Sequence, residues 1–241
     1  MWQLLNVPGL IHRNLQPELM DDPALDRVVH QRALAGLRRL NAWSGSVGTL
    51  WKAIKTYAIR HQLSKLRILD VACGGGDVTI GLARKSQTAP FQVELLGLDI
   101  SSTAVDTARA AIPDSMANVS FQCGDALAGP LPGGFDVVIS SLFLHHLSEQ
   151  DATRFLSRTS AASERLLLIN DLRRCAAGYW LAQAACRTFS RSKIVHVDGP
   201  RSVQGAFTID EVRDLSKRAG LESAVVVPRW PFRLLVTWSR L

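Results

Sequence analysis

Hydrophobic and polar positions along this chain follow two rhythms, one with a helical period and one in unbroken apolar runs. Leu25, Val29, Ala33, Leu37 and Leu40 recur at three- and four-residue steps, which gathers them on one helical face. That helix is expected to run to about Trp43, with Asp22 as N-cap and Pro23 at the first helical position. NAWSGS breaks the pattern. Ser46 is expected to open a second helix with Val47, Leu50, Trp51, Ile54, Tyr57 and Ala58 as its apolar stripe. Ahead of both, residues 1–22 read as an irregular lead containing Pro8, Gly9 and Pro17.

From residue 67 onward, short apolar runs alternate with helical stretches. RILDV (67–71), VELLGLDI (93–100), VSFQCGDA (119–126), FDVVISSLF (135–143) and RLLLIND (165–171) read as strands. Between them fall helices from about Asp77 to Lys85, from Ser101 or Ser102 to Ala111, and from a Ser148 cap to about Arg158. The runs are too continuous for a sheet with one wet face. They predict an α/β fold whose mostly parallel sheet is covered by helices on both sides. Residues 172–207 read as a helix (AAGYWLAQAACRTF) followed by a polar loop. Thr208 with Glu211 forms a capping box for a helix ending at Gly220. AVVV (224–227) and RLLVTW (233–238) then predict a C-terminal hairpin around Pro228 and Pro231.

Length and charge narrow this picture. A chain of 241 residues with 47% hydrophobic content can bury one α/β-sized core, here with an added cap. No apolar run reaches the roughly 18 residues of a membrane-spanning helix. The start lacks a basic n-region and a small-residue cleavage site, so no signal peptide is expected. Cys73, Cys123, Cys175 and Cys186 show no CxxC pairing, which speaks against a zinc ribbon or a disulfide framework and for the cytoplasm. No metal is expected. The net charge of +7 is uneven: from Arg27 to Arg67 there are nine Lys or Arg residues and no Asp or Glu. Such a face is either the solvated side of amphipathic helices or a contact for a polyanion or an anionic membrane.

The chemistry concentrates at LDVACGGGD (69–77), where a buried strand runs into three glycines. In an open parallel sheet, ligands bind beyond the carboxyl ends of the strands. Glycine there permits positive φ and close approach, and the next helix offers unpaired N–H groups. A dinucleotide fingerprint fails, because the third glycine position after Gly74 falls on Thr79. A P-loop fails too, because Gly76 is followed by Asp77 rather than Lys. A carboxylate at the helix start repels phosphate and points to a cationic or zwitterionic ligand.

With Asp70, Ala72, Gly74 and Gly76 in place, the segment resembles the first motif of class I S-adenosylmethionine-dependent methyltransferases. Ala72 stands where that family has its first glycine. The resemblance continues in order over roughly residues 66–147. It implies that Asp99, in GLDIS with Ile100 beside it, accepts the ribose hydroxyls, two acceptor oxygens facing a vicinal diol. It implies that Asp125 accepts from the adenine amino group and that Ala126 offers its N–H to the ring. Cys73 counts only as a small loop residue. Ser140 and Ser141, in FDVVISSLFLHHL, are placed at the methionine end, where the methyl acceptor meets the cofactor. The implied fold is a Rossmann-like seven-stranded methyltransferase sheet, mostly parallel with a C-terminal antiparallel hairpin. Residues 1–62 form its helical cap and residues 63–241 the catalytic domain, with a lid at about 172–207.

The acceptor is less constrained. Proton abstraction near neutral pH suits His146 or His145, with Asp171 and, further off, His196 as other candidates. No Asn-Pro-Pro-aromatic stretch or Pro-Cys nucleophile follows the fourth strand, so nucleic acid is not the expected acceptor. The chain is most similar to the small-molecule and quinone-biosynthesis branch of the family. An aromatic or quinone-like lipid acceptor, methylated on oxygen or carbon, is expected in a pocket lined by lid aromatics: Trp43, Trp51, Tyr57, Tyr179, Trp180 and Phe189. The basic cap helices make the inner membrane surface an expected peripheral contact. An RNA- or protein-modifying enzyme and a non-catalytic cofactor-binding scaffold are the alternatives.

Overall fold

The runs RILDV, FDVVISS and RLLLIND become neighbouring strands, and each buries side chains on both of its faces. The computed structural model describes residues 10–22 and 24–240, so Pro8, Gly9 and Pro23 lie outside the described residues. Seven strands form one sheet: β1 (Lys65–Val71), β2 (Gln92–Asp99), β3 (Val119–Cys123), β4 (Phe135–Ser141), β5 (Ser163–Leu172), β6 (Val225–Arg229) and β7 (Arg233–Ser239). Their order is β3-β2-β1-β4-β5-β7-β6. β1 to β5 pair in parallel, while β7 runs antiparallel between β5 and β6 with Ile169 opposite Val236. This is the α/β architecture expected from the sequence. The order reverses between β1 and β4, which opens a crevice at their carboxyl ends.

Among the described residues eight α-helices accompany the sheet: α1 (Arg27–Ser44), α2 (Ser46–Arg60), α3 (Asp77–Ser86), α4 (Ser102–Ala110), α5 (Glu149–Ala162), α6 (Ala176–Phe189), α7 (Lys193–Gly205) and α8 (Ile209–Arg218). Adjacent strand residues point into opposite cores. Ile68, Val137 and Leu166 pack with α2, α3 and α4, while Leu69, Val138 and Leu167 pack with α5 and α8. Each fully buried Leu or Ile here stabilises the fold by about 1.5–3 kcal/mol.

Three expectations change at this level. Asp26, not Asp22, caps α1, accepting from the amides of Val28 and Val29; Asp22 takes the Ala24 amide in a turn one step earlier. The polar loop expected after residue 189 is instead α7, with Pro200 inside it. Its buried positions mix Val195, Pro200 and Val203 with Asp198, Ser202 and Gly205, which carry no clean hydrophobic period. The α2 stripe of Leu50, Ile54 and Ala58 is fully buried against the sheet, so it offers nothing to a membrane. Among the described residues no helix is long and apolar enough to cross a membrane.

Candidate active site

Backbone strain marks the crevice first. Ala72, just after β1, has φ +59, and Leu142, just after β4, has φ +62. Non-glycine residues held in that region cost about 1–3 kcal/mol each and persist where the surrounding structure imposes them. Both sit at the carboxyl ends of the two central strands where the sheet order reverses. Gly74 and Gly76 also have positive φ, for different spatial reasons. A Cβ on Gly74 would meet nothing within 4 Å, whereas one on Gly76 would lie 2.5 Å from the Phe121 ring and 2.8 Å from Ala108. Gly74 leaves open space, while Gly76 lets α3 approach β3 and α4.

The carboxylates divide their tasks. Asp70 is buried and accepts from the Thr79 hydroxyl at 2.6 Å; burial, with Asp77 and Asp99 nearby, pushes it up to about 7 against that hydrogen bond. Asp99, at the tip of β2, accepts from the amides of Gly74 at 2.7 Å and Ser101 at 2.9 Å, joining the first two strand-end loops. Ile100 beside it is 66% exposed, an apolar flank at the crevice edge. Asp125 is exposed and ties its own turn together, accepting from Leu127 and Ala128, with Ala126 buried beneath. Cys73 is buried and its thiol is pushed well up, chiefly by burial, so it is not a nucleophile.

Ser140 and Ser141 end β4. Ser140 is fully buried and its Oγ lacks a hydrogen-bond partner among the described residues, whereas Ser141 accepts from Asn170. An orphaned hydroxyl, an open glycine, a β2 carboxylate and an exposed apolar flank fit a zwitterion bearing a nucleoside.

Beyond β4, Leu144–His146 make a 3-10 turn. Asp171, at the end of β5, holds it: one oxygen accepts from the amides of Phe143 and Leu144, the other from Leu172 and from His145 Nδ1 at 2.7 Å. Burial works to raise the Asp171 pKa, but the His145 charge and these hydrogen bonds outweigh it and hold the carboxyl below the ordinary range. His145 Nε2 lies 3.7 Å from Glu18 Oε1, and His146 Nε2 lies 3.9 Å from Glu18 Oε2. Glu18 had no role in the sequence reading. It arrives on the lead segment, which lies as a strap against the turn after β4 and against α7. Arg13 anchors that strap to the carbonyls of Gly205, His145 and Leu147 and stacks over Phe207 at 3.7 Å. Asp198 on α7 accepts from the amides of Leu19 and Met20, and Ser202 donates to Glu18.

Strap, turn and α7 enclose a cavity of about 300 Å³ lined by Leu15, Glu18, His145, His146, Arg201 and Ser202, among others. His196 is not among its walls; its Nε2 meets the Ser190 carbonyl at 2.8 Å. The six aromatics expected to line the acceptor pocket do not line this cavity either. They pack on neighbours, Trp43 on Phe189 and Trp51 on Phe91, with Tyr179 edge-on to Trp180.

A family model described as a methyltransferase domain matches residues 68–164. The magnesium-protoporphyrin O-methyltransferase of Rhodobacter capsulatus is 26% identical over 148 residues, covering 60% of this chain and 62% of that protein. The demethylmenaquinone methyltransferase of Lactococcus lactis is 37% identical over 91 residues, covering 37% of this chain and 34% of that protein. The chain thus spans between 34% and 62% of these two relatives' lengths. The crystal structure of magnesium protoporphyrin IX methyltransferase from Synechocystis PCC 6803, solved with bound SAH, superposes with a TM-score of 0.55 at 16% identity. That overlap covers 92% of this chain and 91% of the other, a likeness of fold.

Proposed function

Because residues 68–164 are a class I S-adenosylmethionine-dependent methyltransferase domain, we propose that the whole chain methylates a small molecule held in the cavity beneath the strap. The cofactor supplies an electrophilic methyl group on a sulfonium. The protein's own residues supply position and water exclusion, which carry much of the rate in an in-line displacement. Asp99, Ile100 and the open side of Gly74 bind the nucleoside end, with Asp125 and Ala126 at the adenine edge and Ser140 and Ser141 at the methionine end. Asp70 acts from below, fixing the loop through Thr79.

The observation that carries the reading is the polar wall of the cavity. His145, pinned by Asp171, stands with His146 and Glu18 at the β4 end, where the acceptor's heteroatom and its departing proton would be received. A cavity of this size is at the lower end of small-molecule sites, of order 300–1,000 Å³. Its charged lining favours an acceptor with an acidic oxygen, such as a phenol or a hydroxyquinone, over a purely apolar one. Two relatives are named for magnesium-protoporphyrin and demethylmenaquinone, acceptors that are not polymers, which supports a small-molecule acceptor.

The test uses methyl-labelled cofactor, purified protein and a cell extract separated afterwards into organic, aqueous and macromolecular fractions. Label in a small-molecule fraction, lost in Asp99→Ala and in His146→Ala, is the expected result. Label in RNA or protein would overturn the small-acceptor reading.

A further inference from the structure

Two imidazoles and one carboxylate, contributed by segments more than a hundred residues apart, converge on a single volume. We propose that Glu18, His145 and His146 bind one divalent transition-metal ion at the wall of the cavity. Their ligand atoms lie within 4.8 Å of one another. Metal–nitrogen and metal–oxygen bonds of about 2.0–2.2 Å bring such atoms to roughly 3.0–3.5 Å apart. Side-chain rotations of about an ångström close the difference.

Three further features favour a metal. First, His145 is oriented as metal-ligating histidines are: its Nδ1 meets the buried Asp171 carboxylate at 2.7 Å, and its Nε2 faces Glu18 Oε1 at 3.7 Å. Second, Glu18 is itself oriented, since it accepts from Ser202, whose Oγ also meets the Asp198 carbonyl. Third, all three ligands line the same cavity, so the coordination positions they leave open are reached from it. Two nitrogens and one oxygen suit zinc, iron(II) or cobalt(II) rather than magnesium or calcium, which prefer oxygen alone.

The consequence for the acceptor rests on the methyl-transfer reading; metal binding itself does not. An acidic oxygen in the cavity would bind between the metal and the Arg201 guanidinium. A metal-bound hydroxyl loses its proton to water at a lower pH than a free one. With the metal bound, His145 and His146 serve as ligands, and the acceptor's proton goes to water instead of to an imidazole.

The experiment uses tag-free, chelator-stripped full-length protein titrated with cobalt(II) alone, read by visible absorption, and with zinc(II) alone, read by calorimetry. One equivalent with tetrahedral or five-coordinate cobalt bands is expected. Glu18→Gln and His146→Asn should each weaken binding by at least the 10–100-fold that changes around a metal's ligands cost. His61→Asn, at an exposed histidine outside the cavity, should leave it unchanged. Cofactor affinity and circular dichroism show that each variant folds. The proposal falls if no stoichiometric binding occurs or if binding survives both ligand changes. It also falls if nitrogen-labelled histidine spectra show His145 and His146 as imidazolium with zinc in excess. Cobalt bands without any methylated small molecule would sink the acceptor reading and leave the metal site. Methyl transfer that ignores chelation, with no cobalt bands, would sink the metal site alone.

Discussion

At Gly74 and Gly76 a single methyl group distinguishes two jobs that the sequence writes with the same letter. Both have positive φ, so alanine at either costs about 1–2 kcal/mol in backbone strain. At Gly76 the added Cβ also strikes Phe121 and Ala108, and the total loss should exceed about 3 kcal/mol. At Gly74 it meets open space, so Gly74→Ala should lose about 1–2 kcal/mol in urea unfolding but most of its cofactor affinity in calorimetry. Equal losses of stability in the two variants would contradict this division. Asp70 carries a pH signature. Its folded pKa, raised to about 7 mainly by burial, lies above the ordinary value of 3.8. Its contribution to stability is therefore complete below about pH 4 and lost as pH rises through about 7. Asp70→Asn can still accept from Thr79 but does not titrate. Urea midpoints at pH 4, 6 and 8 should show the variant gaining on the wild type as pH rises.

At the scale of elements, the strap and α7 behave as one closure. Asp198 receives two strap amides on its two oxygens, and hydrogen bonds to a charged group contribute about 1.5–3 kcal/mol each. Asp198→Ala should therefore speed tryptic cleavage after Arg13 by about tenfold or more while the global melting temperature moves little. Unchanged cleavage would mean that Arg13, with Arg174 donating to the Leu10 carbonyl, holds the strap without Asp198. This closure is also what sequence reading could not see. The strands were legible because continuous apolar runs buried on two faces have no other use, and the Thr208–Glu211 capping box stands as read. α7 was not, because aspartate, serine and glycine share its buried positions with Val195 and Val203, and Pro200 reads as a helix breaker. The first helix began late because Leu25 fits the stripe, although Asp26 is the residue that satisfies the helix's amides. His145, His146 and Asp171 could be nominated from their places after β4 and β5. Glu18 could not: nothing in an irregular lead announces a partner 127 residues away, and only the fold supplies one.

For the molecule as a whole, cofactor binding should register as stability. At a hundred times its Kd, a ligand that binds only the folded state adds about 2.7 kcal/mol. For a domain of this size that shifts the melting temperature by roughly 5–10 °C. Asp99→Ala should abolish the shift, and a full shift in that variant would remove Asp99 from the cofactor site. The strap also has a consequence in time. Arg13 leaves the ribosome well before the Gly205 carbonyl it grips, which lies 192 residues behind it. At about 5–20 residues per second the segment waits on the order of 10–40 s for its partner. The sheet strands from β1 to β5 emerge within that interval, while the cavity still lacks its roof. A nascent chain can thus assemble most of the cofactor crevice before the cavity beneath the strap exists, because α7 and the Gly205 carbonyl follow β5 in the order of synthesis.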